Sequence, residues 1–419
     1  MKTQHYQRLI ANEWSNINWQ EARKDLAALQ FKILKAYQEE DCNKVLIAQH
    51  TLVRSFAARC LAVRKVSTNQ GKDTVGIDGK TYKTNKEKFE AVQALKDLKM
   101  YKADPVRRVY IPKQGGEKRP LGIPTIKDRA LQTLYLFALD PIAEEQADLR
   151  SYGFRMYRGV HDCVTYLNLV CSSYTATRRY ILDADIEQFF PSLSHQWLLD
   201  NIPINKEILK EFLKAGFCEN YMNEGLPQGG PISPVLANMS LNGLQEWLGD
   251  EFLFVRYVDD FLVLGKTKQA LEENALPKIV EFLKLRGLRL NLKKTQIKDI
   301  IKGFDYLGFN FREYPDSTRV KGTKQGIFLI KPSKENVSHF KRELTKVVKR
   351  HRKLPLNLLI QVLNQKLRGW SEYYRTVTSQ KTFSSISYHL WKICYTMLRK
   401  RYRKRNVRWV IKEYFTKVD

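Results

Sequence analysis

Apolar residues recur every three or four positions from about 17 to 66, as in Leu26, Leu29, Ile33 and Leu34, and again in Leu52, Phe56, Cys60 and Val63. That spacing lays one apolar stripe along a helix, so a helical N-terminal region is expected. It ends at residues 67–79, a polar run punctuated by Gly71, Gly76 and Gly79, and a further helix is expected over roughly 85–99. The period then changes. From 107 to 124, Val109 and Ile111, then Leu121 and Ile123, alternate around Gln114-Gly115-Gly116-Glu117, which predicts a β-hairpin rimmed by Lys and Arg. Helical spacing returns from 126 to about 146. Residues 180–186 read as an apolar strand, and 252–264 as two short strands joined by a turn containing Asp259 and Asp260. Beyond a Gly- and Lys-containing stretch at 315–326, Pro332 and Ser333 announce a helix whose stripe is Val337, Phe340, Leu344, Val347 and Val348. Two more helices are expected within 359–370 and 383–398. The pattern is that of an α+β chain followed by an all-α domain of three helices at about 331–419.

With 419 residues, 43% of them hydrophobic, the chain can bury real cores in two or three domains. Charge sharpens the picture more than size does. Lys and Arg number 72 against 44 Asp and Glu, a formal net charge of +28, which predicts a polyanionic partner bound in a salt-dependent way. A basic membrane-surface protein or a ribosomal-type scaffold would carry a similar excess. The six cysteines, at 42, 60, 163, 171, 218 and 394, stand singly. They lack the close pairs that bind zinc and read as reduced thiols. No signal-peptide core follows Met1-Lys2-Thr3-Gln4, and no run approaches the length of a membrane span, so no membrane partner is expected.

The sharpest local feature is Phe254-Val255-Arg256-Tyr257-Val258-Asp259-Asp260-Phe261-Leu262-Val263-Leu264, two adjacent acids inside an apolar β-run. Neighbouring carboxylates between apolar flanks fit only at a tight turn that presents them to a cleft. A lone Asp-Asp pair is common in ordinary turns. A further acid, Asp185, ends the strand at 180–186, where it or Asp183 could equally cap the following turn. If the strands lie side by side the acids converge, and close carboxylates repel unless cations neutralise them. An all-Asp site without His or Cys favours Mg²⁺ over zinc, and two such ions about 3.5–4 Å apart suit in-line phosphoryl transfer.

Tyr257-Val258-Asp259-Asp260 resembles the signature turn of reverse transcriptases, and the other motifs agree in order. Asp185-Ile186-Glu187-Gln188-Phe189-Phe190 resembles the first catalytic motif of the group II intron branch; Gly225-Leu226-Pro227-Gln228-Gly229-Gly230-Pro231-Ile232-Ser233-Pro234 resembles its nucleotide-supporting loop. Arg108-Val109-Tyr110-Ile111-Pro112-Lys113 and Lys118-Arg119-Pro120-Leu121-Gly122-Ile123-Pro124 look like the fingers hairpin. Ser151-Tyr152-Gly153-Phe154-Arg155 matches the next block, with Met156-Tyr157 in place of the usual Pro-Gly. Lys293-Lys294-Thr295 and Phe304-Asp305-Tyr306-Leu307-Gly308-Phe309 resemble the closing palm motif and the primer grip. Arg368-Gly369-Trp370-Ser371-Glu372-Tyr373-Tyr374 and the basic run from Arg399 to Arg405 resemble the maturase (thumb, or X) domain.

The resemblance implies a right-hand polymerase: a helical extension with a template-contacting loop at 1–85, fingers at 86–179, a palm with an antiparallel sheet at 180–314, and a helical thumb at 331–419. It implies two Mg²⁺ held by Asp185, Asp259 and Asp260, with Lys294 donating a proton to pyrophosphate. Deoxynucleoside triphosphate would meet Lys113, Arg119, Gln228 and Phe190, the last as a steric gate against a ribose 2′ hydroxyl. Template, primer and intron RNA would meet Arg64, Lys65, Asn69 and Arg155, then the turn at Tyr306, Leu307 and Gly308, then Arg368, Arg399, Arg401, Arg403 and Arg405. The implied activity is copying of group II intron RNA into cDNA from a DNA primer, joined to binding of that RNA in splicing. The implied setting is a prokaryotic cytoplasm or an organelle, with oligomeric state left open. The chain reaches Asp419 without the paired cysteines of the zinc-containing endonuclease that many relatives carry, which fits either a lineage that lacks that domain or a chain truncated after the thumb, and target-DNA cleavage is not predicted. Two other readings remain at this point: a non-catalytic intron-RNA-binding splicing factor, and a related enzyme domesticated for defence or repair.

Overall fold

The computed structural model describes residues 14–98, 101–112, 118–172, 178–215, 224–314 and 326–415. The chain forms two compact units, one from residues 1–163 and 182–296 and the other from 164–181 and 297–419.

In the first unit the N-terminal helical region is three helices, Trp19–Gln38, Cys42–Arg54 and Phe56–Thr68. Each starts where a side chain satisfies orphan amides: Asn18, Asp41 and Ser55 accept hydrogen bonds from backbone N–H groups of the first turn. The third buries Ala57, Ala58, Cys60, Ala62, Val63 and Val66, small residues that let it lie close against Ile126–Glu145. That longer helix is buried almost all round, Thr125 capping it through Asp128 N. The hairpin expected at 107–124 is present. Strands β1 (Arg107–Pro112) and β2 (Lys118–Ile123) pair antiparallel, Arg107 opposite Ile123, while its expected turn, with Lys113, lies outside the described residues.

Strand β3 (Tyr180–Ala184) neighbours β5 (Asp260–Gly265), which pairs antiparallel with β4 (Leu253–Tyr257) in the register Tyr257 opposite Asp260. β4 and β5 are almost wholly buried, which explains why they read as apolar runs and not as an alternation. A short strand β6 spans Gln296–Asp299.

The second unit contains a three-stranded antiparallel sheet, β7 (Phe304–Tyr306), β8 (Phe309–Tyr314) and β9 (Ile327–Pro332), which was not expected beyond the motif at 304–309. Its alternation is visible in Phe309 and Phe311, both fully buried. Helices follow at Lys334–Arg350, Leu356–Tyr374, Gln380–Arg401 and Val407–Tyr414. Three helices were expected. The fourth is only eight residues long and directly follows the basic run, whose charge masked the stripe Val407, Val410, Ile411 and Tyr414. Asn406 caps it and Val410 is fully buried in a core with Phe340, Leu344, Leu359, Leu363 and Leu398. Among the described residues no helix is long and apolar enough to cross a membrane. Cys42, Cys60, Cys163, Cys171 and Cys394 are free thiols, and Cys218 lies outside the described residues.

Candidate active site

Asp259 sits in a two-residue turn between β4 and β5, since Tyr257 and Asp260 are still paired. The other turn residue, Val258, has a φ of 62°. This is left-handed backbone that a β-branched side chain adopts only under constraint. The constraint comes from Arg256, whose side chain is 0% exposed. Its guanidinium donates to the Val258 carbonyl (3.3 Å), to Asn238 Oδ1 (3.1 Å) and to Asn242 Oδ1 (2.9 Å). Its backbone carbonyl accepts from Tyr152 N (2.9 Å) and its N–H donates to Arg150 O (3.0 Å). Asn238 in turn donates to Gly153 O at 2.7 Å. Gly153 has no room for a side chain, because a Cβ would meet Val258. The block at 151–155 is thus the buttress of this turn.

Burial pushes the Asp148 carboxyl up, and the Arg256 charge holds it down. Arg256 and Asp148 were not singled out from the sequence. The available signal was an arginine directly following the apolar run Leu253, Phe254 and Val255, all of them core residues.

Asp185 follows β3 and is held by the chain at 291–295: its carbonyl accepts from Asn291 N (2.8 Å), and its N–H faces Thr295 Oγ1 at 3.4 Å. Lys294 Nζ lies 3.3 Å from Asp185 Oδ2. Asp259 is pushed up by burial and by Asp185, against the lowering pull of Arg119. Asp260 is pushed up to about 6, by loss of solvation and then by the charges of Asp259, Asp183 and Asp185, with Lys294 opposing. These acids therefore share one electrostatic field. Asp183, read from the sequence only as a possible cap, belongs to it as well.

The same place receives the hairpin and the loop at 225–230. Arg119 Nε donates to Gln228 Oε1 at 2.5 Å, and Gly122 N donates to Gln228 O at 2.9 Å. Gly229, at φ 141°, passes so close to Gly122 O that a Cβ would stand 2.7 Å from it. Gly225, at φ 84°, presses on Pro191, and Leu226 N donates to Phe190 O at 2.7 Å. Phe190 is buried edge-on against Phe189 in the short helix Phe189–Ser192.

Three family descriptions match in chain order: an N-terminal domain of reverse transcriptase over residues 14–95, a reverse transcriptase (RNA-dependent DNA polymerase) over 111–311, and a group II intron maturase-specific domain over 337–415. Protein YkfC of Escherichia coli is 31% identical over 304 residues, covering 59% of this chain and 78% of its own length. The chain is a reverse transcriptase of the group II intron family. The group II intron-encoded protein LtrA of Lactococcus lactis is 34% identical over 201 residues, 45% of this chain, and the match spans only 33% of LtrA. Among solved structures, telomerase from Candida albicans aligns over 76% of this chain and 65% of its own, at 12% identity and a TM-score of 0.41, too weak a likeness to add to the family match.

Reverse transcriptases work with divalent metal ions, and the donor chemistry here fits them. The carboxylates that share this field offer oxygen ligands only, and the raised proton affinity of Asp259 and Asp260 is that of acids short of positive charge. Among the described residues no group of three acid, His or Cys side chains forms a ready metal cage. Mg²⁺ is typically held by one or two carboxylates with substrate phosphates and water completing its shell, so an open arrangement is compatible with it.

The residues expected to meet RNA fare differently from one another in this reverse transcriptase. Arg64 lies over the Trp19 ring at 4.3 Å and Lys65 over the Phe137 ring at 5.3 Å, while Asn69 is exposed at the end of Phe56–Thr68. Arg155 was expected on the RNA side, but its side chain is 7% exposed. It pairs with Glu144 at 2.6 Å and donates to the carbonyls of Asp148 and Ser151. Its guanidinium is spent on the fold.

In the second unit Tyr306 is also buried, so its side chain is core rather than contact surface. Leu307 and Gly308, at φ 49° and 84°, form the tight turn after it. Tyr373 and Tyr374 donate from their hydroxyls to Leu307 O and Gly308 O at 3.0 and 3.1 Å, and Trp370 stacks on Phe340 at 4.8 Å. Phe340 and Tyr374 are buried and Trp370 and Tyr373 partly so, whereas Trp391 is half exposed and stacks on Tyr395. Arg399 donates to Arg405 O and Arg401 to the carbonyls of Arg352 and Leu354. Arg368, Arg403 and Arg405 are exposed, Arg405 lying 5.0 Å from the Trp409 ring.

Proposed function

We propose that this reverse transcriptase copies group II intron RNA into cDNA from a DNA 3′ end and that its helical C-terminal region binds the intron RNA during splicing. The observation that carries the polymerase half is the gathering of Arg119, Gln228, Asp259, Asp260 and Asp185 at one place by four separate chain segments. In this reading 86–179 supplies fingers, 180–314 the palm and 331–419 the thumb, behind an extension at 1–85. Two Mg²⁺ ions bound between Asp185, Asp259, Asp260 and the nucleotide phosphates would activate the primer 3′ hydroxyl and neutralise the leaving pyrophosphate. Arg119, with Lys113, holds the triphosphate, and Gln228 orients Arg119 through their hydrogen bond. Phe190 excludes the ribose 2′ hydroxyl. Lys294, 3.3 Å from Asp185 Oδ2, would hand a proton to pyrophosphate in this reading, and until then it offsets part of the charge of Asp185.

The test is primer extension on a synthetic RNA template with a DNA primer, deoxynucleoside triphosphates and Mg²⁺. Extension is expected from the unaltered protein and lost in Asp259→Asn, while affinity for RNA changes little because Lys and Arg supply most of it. Undiminished extension by the variant would remove the metal role. A wild-type protein that binds intron RNA but never extends a primer would point to the splicing-factor reading.

A further inference from the structure

A groove of about 1230 Å³ opens in the second unit between the helices Lys334–Arg350 and Gln380–Arg401. Seven Lys or Arg and one His line it, with no acid among them. Lys349, Arg352, Lys353, Lys392, Lys400 and Arg403 are all exposed, and among the described residues none of the six forms an ion pair. A row of cations at the end of a helix also answers its dipole, which accounts for Lys349 and Lys400. Lys392 lies within a helix and Arg403 beyond its end, so the dipole explains neither. The groove is also built. Arg401 donates to the carbonyls of Arg352 and Leu354 at 2.6 and 2.7 Å, which pins the segment carrying Arg352 and Lys353. Its floor is apolar, with Val348, Ile393 and Met397 continuous with the domain core.

A charged rim over an apolar floor is the wrong shape of chemistry for a regular duplex, whose bases are stacked inside. It suits a nucleotide turned out of a helix, with the base on the floor and the flanking phosphates on the rim. We infer that this groove is a binding site for an unpaired, extruded nucleotide of a structured RNA. The assignment rests on the proposal that the helical region binds RNA, and it names the feature of that RNA which is recognised there.

The experiment compares two fluorescent RNA hairpins, identical except that one carries a single unpaired adenosine in its stem. The full chain is expected to bind the bulged hairpin about tenfold more tightly, the equivalent of one buried base. The combined variant Lys353→Gln, Lys392→Gln, Arg403→Gln should abolish that preference and lower the salt slope of binding by about 2 to 3. Ile393→Thr should weaken only the bulged complex; because Ile393 packs on the core, its thermal melt is recorded beside it, and the exposed-residue variant carries the test if it unfolds. Neutralising Lys334, Arg342 and Lys381, which do not line the groove, should leave the preference intact. Equal affinity for the two hairpins would overturn the groove assignment alone. Failure of the unaltered protein to bind either hairpin would instead remove the RNA-binding reading beneath it.

Discussion

Asp260 shows how function is set against stability in single residues. Its carboxyl holds a proton up to about pH 6 in the folded chain, against an ordinary value of 3.8. The folded state therefore binds protons more strongly than the unfolded one between those values, and stability falls as pH rises through that window. Asp260→Asn should melt at a higher temperature than the unaltered protein at pH 7.5 in a metal chelator. The difference should shrink to nothing near pH 4 and narrow when Mg²⁺ is added; a variant less stable at pH 7.5 would mean that the carboxylate is already fully compensated by neighbouring cations. Phe190→Val should admit ribonucleotides, read as extension with ribonucleoside triphosphates, and unchanged sugar selectivity would remove its role as gate. Arg256→Met strips the half-buried Asp148 of its larger counter-charge and Val258 of its anchor. A loss of about 3 kcal/mol in denaturant unfolding is expected, since breaking one side of a buried charged network leaves the other side unpaired.

At the scale of the element, legibility followed length and chemistry. Helices such as Ile126–Glu145 and Lys334–Arg350 were visible in their spacing because each buries one stripe or more, and the start of the second was marked by Pro332 and Ser333. The β4–β5 hairpin was legible for another reason: two acids in an apolar run have few places to stand. The short helix Val407–Tyr414 and the sheet β7–β8–β9 were missed because each is small and depends on the core it joins. The turn between β7 and β8 makes that dependence testable. Gly308 has a φ of 84° and stands so close to Asn336 and the Tyr374 hydroxyl that a methyl group would collide. Gly249 has a similar φ of 82° and nothing within 4 Å. Gly249→Ala should cost about 1 kcal/mol and Gly308→Ala about 2 to 3 kcal/mol by thermal or chemical unfolding. Equal losses would show that the packing around the turn contributes nothing.

For the molecule as a whole, the net charge of +28 governs encounter with nucleic acid rather than the chemistry that follows. Raising salt from about 50 to 200 mM should weaken binding to RNA of arbitrary sequence by roughly a thousandfold, while single-turnover extension of a preassembled template–primer complex changes far less. A salt-insensitive affinity would mean that apolar contacts dominate binding instead. Cations that bond within the fold also show that charge and contact surface are not the same quantity. Arg155, Arg256 and Arg401 count toward the total, yet each donates into the protein.

The sequence by itself determined the kind of chemistry: the acids at 185, 259 and 260, the glycines of the loop at 225–230, and the order in which these parts follow one another, because each is a local demand on backbone or charge. Only the tertiary structure decided that Asp183 shares the field of those acids, that Arg256 together with the block at 151–155 braces the turn at Val258 and Asp259, and that Arg155 and Tyr306 turn inward. Those outcomes depend on which distant segments supply the partner for a buried charge or fill the space beside a ring. No residue type or spacing contains that information until the chain has packed.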